Sequence, residues 1–401
     1  MDAREEKVQF WMLNVASFLG QLTINMVNLA LVYHLRYTLA ASATVVGLAA
    51  STYTGFYLVC NLLFSKFYQR FRPCCVVATS LVGMGLCAAL TTLCRSLVPV
   101  FLLLASYGFF MSMLWPQVES WITRGAEGSR LNKLTSAFNF SWSFGTGISP
   151  YLTSLLVMRS PSLALWTALG IFAFVAIMVM AVTNSLAGLR AIGPEREYMS
   201  KGKEEGLVED HSTPLRFDSW IAVFVVYSAL SVVLNIFPMQ AEEVMHIGEG
   251  TSGFLLLLRG LATCFGFMVL GRLSFWQFKA WLIYLFEGLF IVLTLAFHRG
   301  QGVVATGVYL TLFGLVFAQC YSFSIFHSAA GAVDRGRRMA IHECVLTAGQ
   351  MIGASFGGGI YQAWGYSDVL LFLSAVAAVA LAGQLLVHFI KFMEGKPSGS
   401  S

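Results

Sequence analysis

The chain has 401 residues, of which 57% are hydrophobic and only 11% are charged, and its formal net charge is +5. Soluble domains carry roughly 25% charged residues, so this composition excludes a soluble globular protein and indicates a polytopic helical membrane protein. The basic residues lie at the ends of apolar segments, so the positive charge does not indicate a nucleic-acid partner. The lipid bilayer is the partner that the composition predicts.

Apolar runs near 20 residues long recur along the chain, and each is long enough to cross a bilayer core of roughly 30 Å. They predict twelve membrane spans in two groups of six. The first group is 8–33, 43–66, 74–94, 98–122, 131–157 and 161–183, and the second is 218–240, 251–272, 279–297, 301–329, 338–363 and 366–391. A charged segment precedes span one and no short apolar region with a cleavage site is present, so we expect no removable signal peptide.

The distribution of Lys and Arg predicts the orientation of these spans. With the N-terminus in the cytoplasm, most of the 25 basic residues fall on the cytoplasmic side. The outer side holds Arg36, Arg95, Arg159 and Arg299. This alternation predicts an even number of spans and places both termini in the cytoplasm.

The segment 184–217 is the only long polar stretch, and it contains Gly, Pro and charges of both signs. It predicts three regions: an N-terminal six-helix half at 1–183, a cytoplasmic linker at 184–217 and a C-terminal six-helix half at 218–401. The two halves also resemble each other weakly. Residues 130–150 align without gaps on 334–354, which pairs Gly145 with Gly349 and indicates an internal repeat of the kind found in secondary transporters.

Three short motifs connect this architecture to a known family. The loop after span two, NLLFSKFYQR at 61–70, keeps Leu63, Lys66 and Arg70 of a G-x-L-x-D-R-x-G-R-R signature but lacks its Asp. The loop after span eight, GRLSFWQFK at 271–279, keeps a weaker copy of it. Span five contains GTGISPYLTS at 145–154, a partial match to a motif of exporters. With six plus six spans and a central linker, the chain resembles the major facilitator superfamily over essentially its whole length.

The resemblance implies an all-α fold of twelve membrane helices in two pseudosymmetric halves, and a secondary active transporter with alternating access. It implies that spans 1, 2, 4, 5, 7, 8, 10 and 11 surround a central cavity, with the other four as scaffold. The expected substrate is a small organic molecule, and the span-five motif slightly favours export. We expect a monomer that has no cofactor or metal and is not an enzyme. The lost Asp means that its gating role in the family does not carry over.

Polar side chains at helical spacing indicate which faces of the apolar helices line a wet cavity. Helix-to-helix hydrogen bonding is the alternative explanation for each stripe. The candidate cavity residues are Asn25, Asn28, Tyr53, Tyr57, Trp115, Gln117, Asn139, Trp142, Tyr227, Asn235, Arg259 and Gln350.

Four ionisable residues near the predicted cytoplasmic ends are candidates for a gate or for proton coupling: Glu119, His327, His342 and Glu343. Glu119 lies close to the end of span four, where Arg124 or Arg130 is a possible partner, so a simple polar helix end is the alternative. A His beside a Glu suits proton transfer near neutral pH. A structural salt bridge is the alternative for Glu343.

Arg259 lies near the middle of span eight, where an unsolvated guanidinium is costly. Its planar fork suits a carboxylate or phosphate, which predicts an anionic substrate. The alternative is that Arg259 pairs with an acidic side chain on another helix. Glu287, in span nine, is the candidate for that pairing.

Other classes of membrane protein have weaker support. The sequence lacks GxSxG, HExxH and P-loop motifs, which argues against an enzyme, and it shows no sign of a channel filter. A lipid or lysolipid flippase and a transporter-like sensor stay open as alternatives. The scattered cysteines do not predict disulfides or a metal site. The compact loops favour the bacterial inner membrane.

Overall fold

The computed structural model describes residues 2–124, 128–194, 212–298, 302–331 and 335–393. Within these ranges the chain forms fifteen α-helices and no β-strand. They are α1 Ala3–Leu39, α2 Ala43–Tyr68, α3 Pro73–Thr91, α4 Leu97–Met111, α5 Leu114–Thr123, α6 Gly128–Val157, α7 Pro161–Ser185, α8 Ala187–Arg190, α9 Leu215–Asn235, α10 Phe237–Glu243, α11 Glu249–Leu270, α12 Ala280–His298, α13 Val303–Ala329, α14 Arg335–Trp364 and α15 Tyr366–Met393. The all-α prediction is confirmed.

Ten segments of the described chain are long and apolar enough to cross a membrane. Two further helices, α6 and α14, have 30 residues each but carry more polar side chains. The helices therefore occur in an order that is consistent with twelve spans. Most of the predicted linker, residues 195–211, lies outside the described residues, so its cytoplasmic location stays a prediction.

Two predicted spans are interrupted rather than continuous. The fourth consists of α4 and α5, which are separated at Ser112 and Met113, and the seventh consists of α9 and α10, which meet at Ile236. Each break comes just before a proline, Pro116 or Pro238. Proline lacks the N–H that a continuing helix would need, and its ring displaces the carbonyl one turn back. Each proline instead occupies the first turn of the next helix, where the N–H has no helical partner.

One compact unit contains Met1–Ala41, Thr52–Leu207 and Glu249–Gly260. Within it α1 packs on α6 and α7, while α3 packs on α7 and α4. Small residues bring these helices together. The Ser149 hydroxyl of α6 donates to the carbonyl of Leu22 in α1 at 2.6 Å, and the Ser80 hydroxyl of α3 donates to that of Phe110 in α4 at 2.7 Å.

The second compact unit contains Ser42–Ser51, Val208–Gly248 and Leu261–Ser401. Within it α9 packs on α14 and α13, while α12 packs on α15 and α13. In span numbers, the pairs one–five, three–six and three–four of the first unit correspond to seven–eleven, nine–twelve and nine–ten of the second. The two units therefore share a packing scheme, as the weak internal repeat predicts.

The first ten residues or so of two helices belong to a different unit from the rest of the helix. The start of α2 joins the second unit, where the Ser51 hydroxyl donates to Met351 O at 2.9 Å and lies 2.6 Å from the hydroxyl of Ser355. The start of α11 joins the first unit, where Tyr37 donates to Glu249 Oε1 at 2.8 Å. The predicted division at the linker assigns the starts of α2 and α11 to the same half as the rest of each helix, so it differs from the observed units here.

Candidate functional site

In the first unit, the predicted cavity residue Asn25 of α1 faces α6. The side-chain amide of Asn25 donates to Gln21 O at 2.9 Å and to Thr146 Oγ1 of α6 at 3.3 Å. Asn28, one turn further along α1, is different, because its buried Oδ1 has no hydrogen-bond partner among the described residues. Asn25 thus connects two helices, which the Asn28 side-chain oxygen does not do.

Aromatic side chains and another amide extend this surface across α2, α5 and α6. Gln117 of α5 is only 3% exposed, and its Oε1 has no partner in the described part of the chain. Trp142 Nε1 donates to Asn139 Oδ1 at 3.0 Å, so these two predicted residues act as a pair on α6. Trp115 packs edge-on against Phe138, with ring centroids 6.2 Å apart.

The two predicted tyrosines of α2 are buried in the same unit. Tyr53 is 5% exposed and packs edge-on against Tyr107 of α4, with ring centroids 5.8 Å apart, and Tyr57 is also buried. Sequence reasoning missed Tyr107, whose buried hydroxyl has no described partner. Tyr107 lies inside the apolar run FLLLASYGFFM and has no other polar residue one helical turn away. It therefore belongs to no polar stripe that sequence periodicity could detect.

Arg259 is the eleventh of the 22 residues of α11, and it is 1% exposed. Among the described residues it is the only buried lysine or arginine. The next residue, Gly260, packs against Gly147 of α6 so closely that a Cβ on Gly260 would lie 2.1 Å from the Gly147 Cα. This backbone contact requires glycine and fixes the Arg259 segment beside α6 within the first unit.

In the second unit, Tyr227 of α9 belongs to an aromatic cluster. Its ring lies 5.0 Å from that of Phe317 and 6.1 Å from that of Tyr321, both on α13. Asn235 bonds its own helix, because its amide donates to Ser231 O at 2.8 Å. Gln350 of α14 is half-buried. Tyr227 therefore packs against α13, while the Asn235 amide is satisfied by its own helix.

Sequence reasoning also missed Gln319 of α13. This residue is buried, and its Nε2 has no hydrogen-bond partner among the residues that the structure describes. It lies near the middle of predicted span ten and close to Tyr321. An isolated amide in an otherwise apolar span could have marked Gln319 as a candidate. The search for polar stripes did not find it, because Gln319 forms no stripe with its neighbours.

The two candidate histidines are fully buried, and serines hold them in separate places. His327 Nδ1 lies 2.7 Å from Ser219 Oγ of α9, and the backbone N–H of Phe278 donates to His327 Nε2 at 3.4 Å. Both ring nitrogens of His327 therefore have hydrogen-bond partners in the protein. His342 Nδ1 lies 2.7 Å from Ser324 Oγ. No hydrogen bond joins the two imidazoles in the described structure, so a shared histidine cluster is not formed.

The two candidate carboxylates are half-buried. Glu119 lies four residues before the end of α5, about 6 Å along the axis, and Arg124 beyond it donates to Gly193 O at 3.1 Å. The Arg130 side chain lies outside the described residues. Glu343 lies beside His342 on α14, where its backbone carbonyl accepts from Thr347 Oγ1 at 2.7 Å.

Among the described residues, Glu287 has no arginine partner. Its Oε1 accepts a hydrogen bond from Gln384 Nε2 of α15 at 2.9 Å. The predicted pairing with span eight is therefore wrong. The sequence could not reveal this partner, because the two residues are 97 positions apart and their contact depends on how α12 packs on α15.

A small cavity of about 40 Å³ lies elsewhere in the second unit. Its lining includes Gln240, His298, Thr306, Tyr366 and Ser367, and none of the predicted site residues. A volume of this size accommodates only a few waters.

The sequence matches a family model described as Major Facilitator Superfamily over residues 13–333. The chain belongs to the Major Facilitator Superfamily. It is therefore an integral, multi-pass membrane protein with the family and fold of transporters rather than of enzymes. No curated protein matches it in sequence.

Solved structures of superfamily transporters have the same fold. A bacterial homologue of the human lysosomal transporter Spinster, in an inward-facing and occupied conformation, matches with a TM-score of 0.75 and 10% identity over 96% of this chain and 97% of that chain. A POT family transporter in complex with a thioalcohol-conjugated peptide matches with a TM-score of 0.71 and 13% identity over 96% of both chains. The nucleoside transporter NupG matches with a TM-score of 0.70 and 13% identity over 94% of this chain and 98% of that chain.

Proposed function

We propose that this superfamily member is a secondary active transporter that moves a small organic solute by alternating access, and that Arg259 binds an anionic group of the solute. The observation that carries the proposal is the burial of Arg259 at the middle of an apolar helix. A guanidinium at membrane depth costs roughly 3 kcal/mol or more unless it is solvated or paired. Such positions are therefore commonly functional in membrane transporters.

The chemistry of the side chain indicates the class of solute. Arginine presents N–H donors in a rigid fork that matches the two oxygens of a carboxylate or phosphate. Asn28 Oδ1 and Gln117 Oε1, in the same unit as Arg259, lack hydrogen-bond partners among the described residues. These two oxygens suit N–H or O–H groups on the rest of the solute. A small organic anion that also carries hydrogen-bond donors satisfies both requirements.

Three further parts of the proposal rest on the sequence and the family. Coupling to protons is proposed for Glu343 and His342, because a carboxylate and an imidazole occupy adjacent positions on α14. Export is proposed from the partial motif GTGISPYLTS in α6. The proposed location is the bacterial inner membrane, with both termini cytoplasmic and the protein monomeric.

A ligand screen on the purified protein tests the proposal. Small carboxylates and phosphates are compared with their neutral amides or esters by the shift in melting temperature. We expect one or more anions, but not the neutral analogues, to stabilise the wild type. Arg259→Ala should abolish that stabilisation. The matched control is Arg272→Ala, because Arg272 lies exposed just beyond the end of α11 and its loss should leave the shift intact.

Transport by the reconstituted protein completes the test. An anion that stabilises the wild type should be taken up or exchanged by proteoliposomes, and Arg259→Ala should abolish this movement. Equal stabilisation of wild type and Arg259→Ala by every anion would contradict the role of Arg259. Stabilisation by phospholipids or lysolipids alone would instead favour a flippase.

A further inference from the structure

Glu287 and Gln384 form a buried polar pair within the second unit, away from every candidate cavity residue in sequence. Glu287 is the eighth residue of α12 and 1% exposed, while Gln384 of α15 is 3% exposed. Their hydrogen bond is 2.9 Å long and runs from Gln384 Nε2 to Glu287 Oε1. The pair joins two helices that the family scheme treats as scaffold, so substrate binding does not explain it.

The other oxygen of each side chain is left without a partner. Glu287 Oε2 and Gln384 Oε1 are both buried and have no hydrogen bond within the described residues. If the carboxyl group of Glu287 were ionised, Glu287 Oε2 and Gln384 Oε1 would both be hydrogen-bond acceptors, and two acceptors cannot form a hydrogen bond with each other. A proton on Glu287 Oε2 would supply the donor that Gln384 Oε1 lacks.

The surroundings of Glu287 also oppose a negative charge. The charged neighbour that acts on it is another carboxylate, Asp218 of α9. Its titratable neighbours are Tyr284, three residues earlier on α12 itself, and Cys320 of α13. On α15, His388 packs against the Tyr284 ring at 6.1 Å. Burial beside another carboxylate favours the neutral form of a carboxyl group.

We propose that Glu287 is held as a neutral carboxylic acid that forms a ring of two hydrogen bonds with Gln384. Gln384 Nε2 donates to Glu287 Oε1, and the protonated Oε2 donates to Gln384 Oε1. The site binds one proton, taken from solvent, and no other bond changes. It is a proton-binding site that ties α12 to α15.

This site differs in kind from the proposed proton-coupling residues. A coupling group must release its proton during each transport cycle, whereas the Glu287 proton completes a buried ring and stays in place. The inference does not depend on Arg259 or on the identity of the solute. Glutamine at position 287 would reproduce the ring, because two carboxamides can also exchange two N–H···O bonds.

Infrared difference spectroscopy of the purified protein in lipid at neutral pH tests the protonation state. The wild-type spectrum minus that of Glu287→Gln should contain the C=O stretching band of a protonated carboxylic acid. The matched control is Glu242→Gln, since Glu242 is partly exposed near the end of α10, and its difference spectrum should contain carboxylate bands instead. Carboxylate bands lost in Glu287→Gln as well would overturn the proposal.

Thermal stability supplies a second readout. Glu287→Gln should melt at or above the wild-type temperature at neutral pH, because only the wild type must keep, on folding, a proton that its unfolded chain releases. Glu287→Leu and Gln384→Leu should each melt below Glu287→Gln because one polar partner is left buried and unpaired. On raising the pH from acidic toward neutral, the wild type should lose stability relative to Glu287→Gln, because its unfolded chain releases the Glu287 proton before its folded state does. Equal losses in the two proteins, or a marked fall in the melting temperature of Glu287→Gln at neutral pH, would contradict the neutral ring.

Discussion

Gly145 of α6 and Gly349 of α14, which the predicted repeat aligns, make equivalent contacts within their own units. A Cβ on Gly145 would lie 2.4 Å from the carbonyl oxygen of Phe18 in α1, and a Cβ on Gly349 would lie 2.5 Å from that of Phe224 in α9. Real side chains do not approach a carbonyl oxygen so closely. Both helix pairs therefore depend on the missing Cβ, and the repeat extends to individual backbone contacts.

The first prediction concerns these glycines. Gly145→Ala and Gly349→Ala should each lower the free energy of unfolding, by about 1–3 kcal/mol, because overpacking forces the helices apart. Thermal melting of the purified protein in detergent measures the effect. The controls are Gly170→Ala and Gly288→Ala, since a Cβ at either position meets nothing within 4 Å. These two should be neutral or slightly stabilising, because alanine favours a helix by about 0.5–1 kcal/mol. Equal effects at all four positions would argue against close packing as the cause.

The second prediction concerns topology. In a background without native cysteines, a cysteine at Ser200 in the linker should react with an impermeant maleimide only from the cytoplasmic side. A cysteine at Ser160, at the start of α7, should react only from the outer side. Labelling of intact and inverted membrane vesicles makes the comparison. Outer-side labelling of Ser200 would invert the predicted orientation.

The sequence predicts the helices well because apolar length and charge placement are local properties. It also predicts which residues are polar within the spans. It does not predict what those residues bond: Asn25 reaches Thr146 on another helix, whereas Asn235 bonds Ser231 one turn earlier. Both residues lie on polar stripes with the same spacing, so periodicity alone cannot separate a lining amide from one that its own helix satisfies.

Hydrogen-bond partners that are far apart in the sequence could not be predicted either. His327 finds Ser219 at a separation of 108 residues, and only the packing of α9 on α13 shows that the two meet. His342 is likewise held by Ser324 rather than by His327. The sequence identified both histidines as candidates for a gate or for proton coupling. Their separate serine partners came only from the fold.

The third prediction concerns proton coupling. If Glu343 carries the coupling proton, Glu343→Gln should abolish substrate movement driven by a pH gradient, because glutamine cannot bind and release a proton. Exchange of substrate for substrate should continue, since that half-cycle needs no net proton transfer. Glu242→Gln is the control, because Glu242 is a partly exposed carboxylate near the end of α10 and is not among the coupling candidates. Gradient-driven transport that survives in Glu343→Gln would return this carboxylate to a structural role.

The last prediction separates the fork of Arg259 from its charge. Arg259→Lys keeps a positive charge at the middle of α11 but cannot form two parallel hydrogen bonds with one carboxylate or phosphate. We expect it to weaken binding of the anionic solute by about 1–3 kcal/mol, the scale of a hydrogen bond to a charged group. Arg259→Ala should weaken binding further. Titration calorimetry on the purified variants measures the affinities, and Arg272→Lys is the matched control.

Stability must be followed in the same variants, because a buried arginine can also hold a fold together. A role in substrate binding predicts that Arg259→Lys and Arg259→Ala melt near the wild-type temperature when no ligand is present. Glu287 hydrogen-bonds Gln384, so Glu287→Gln should leave the affinity for the anion unchanged. Wild-type affinity in Arg259→Lys, combined with a lower melting temperature in both Arg259 variants, would assign this arginine to the structure and leave the anionic substrate without support.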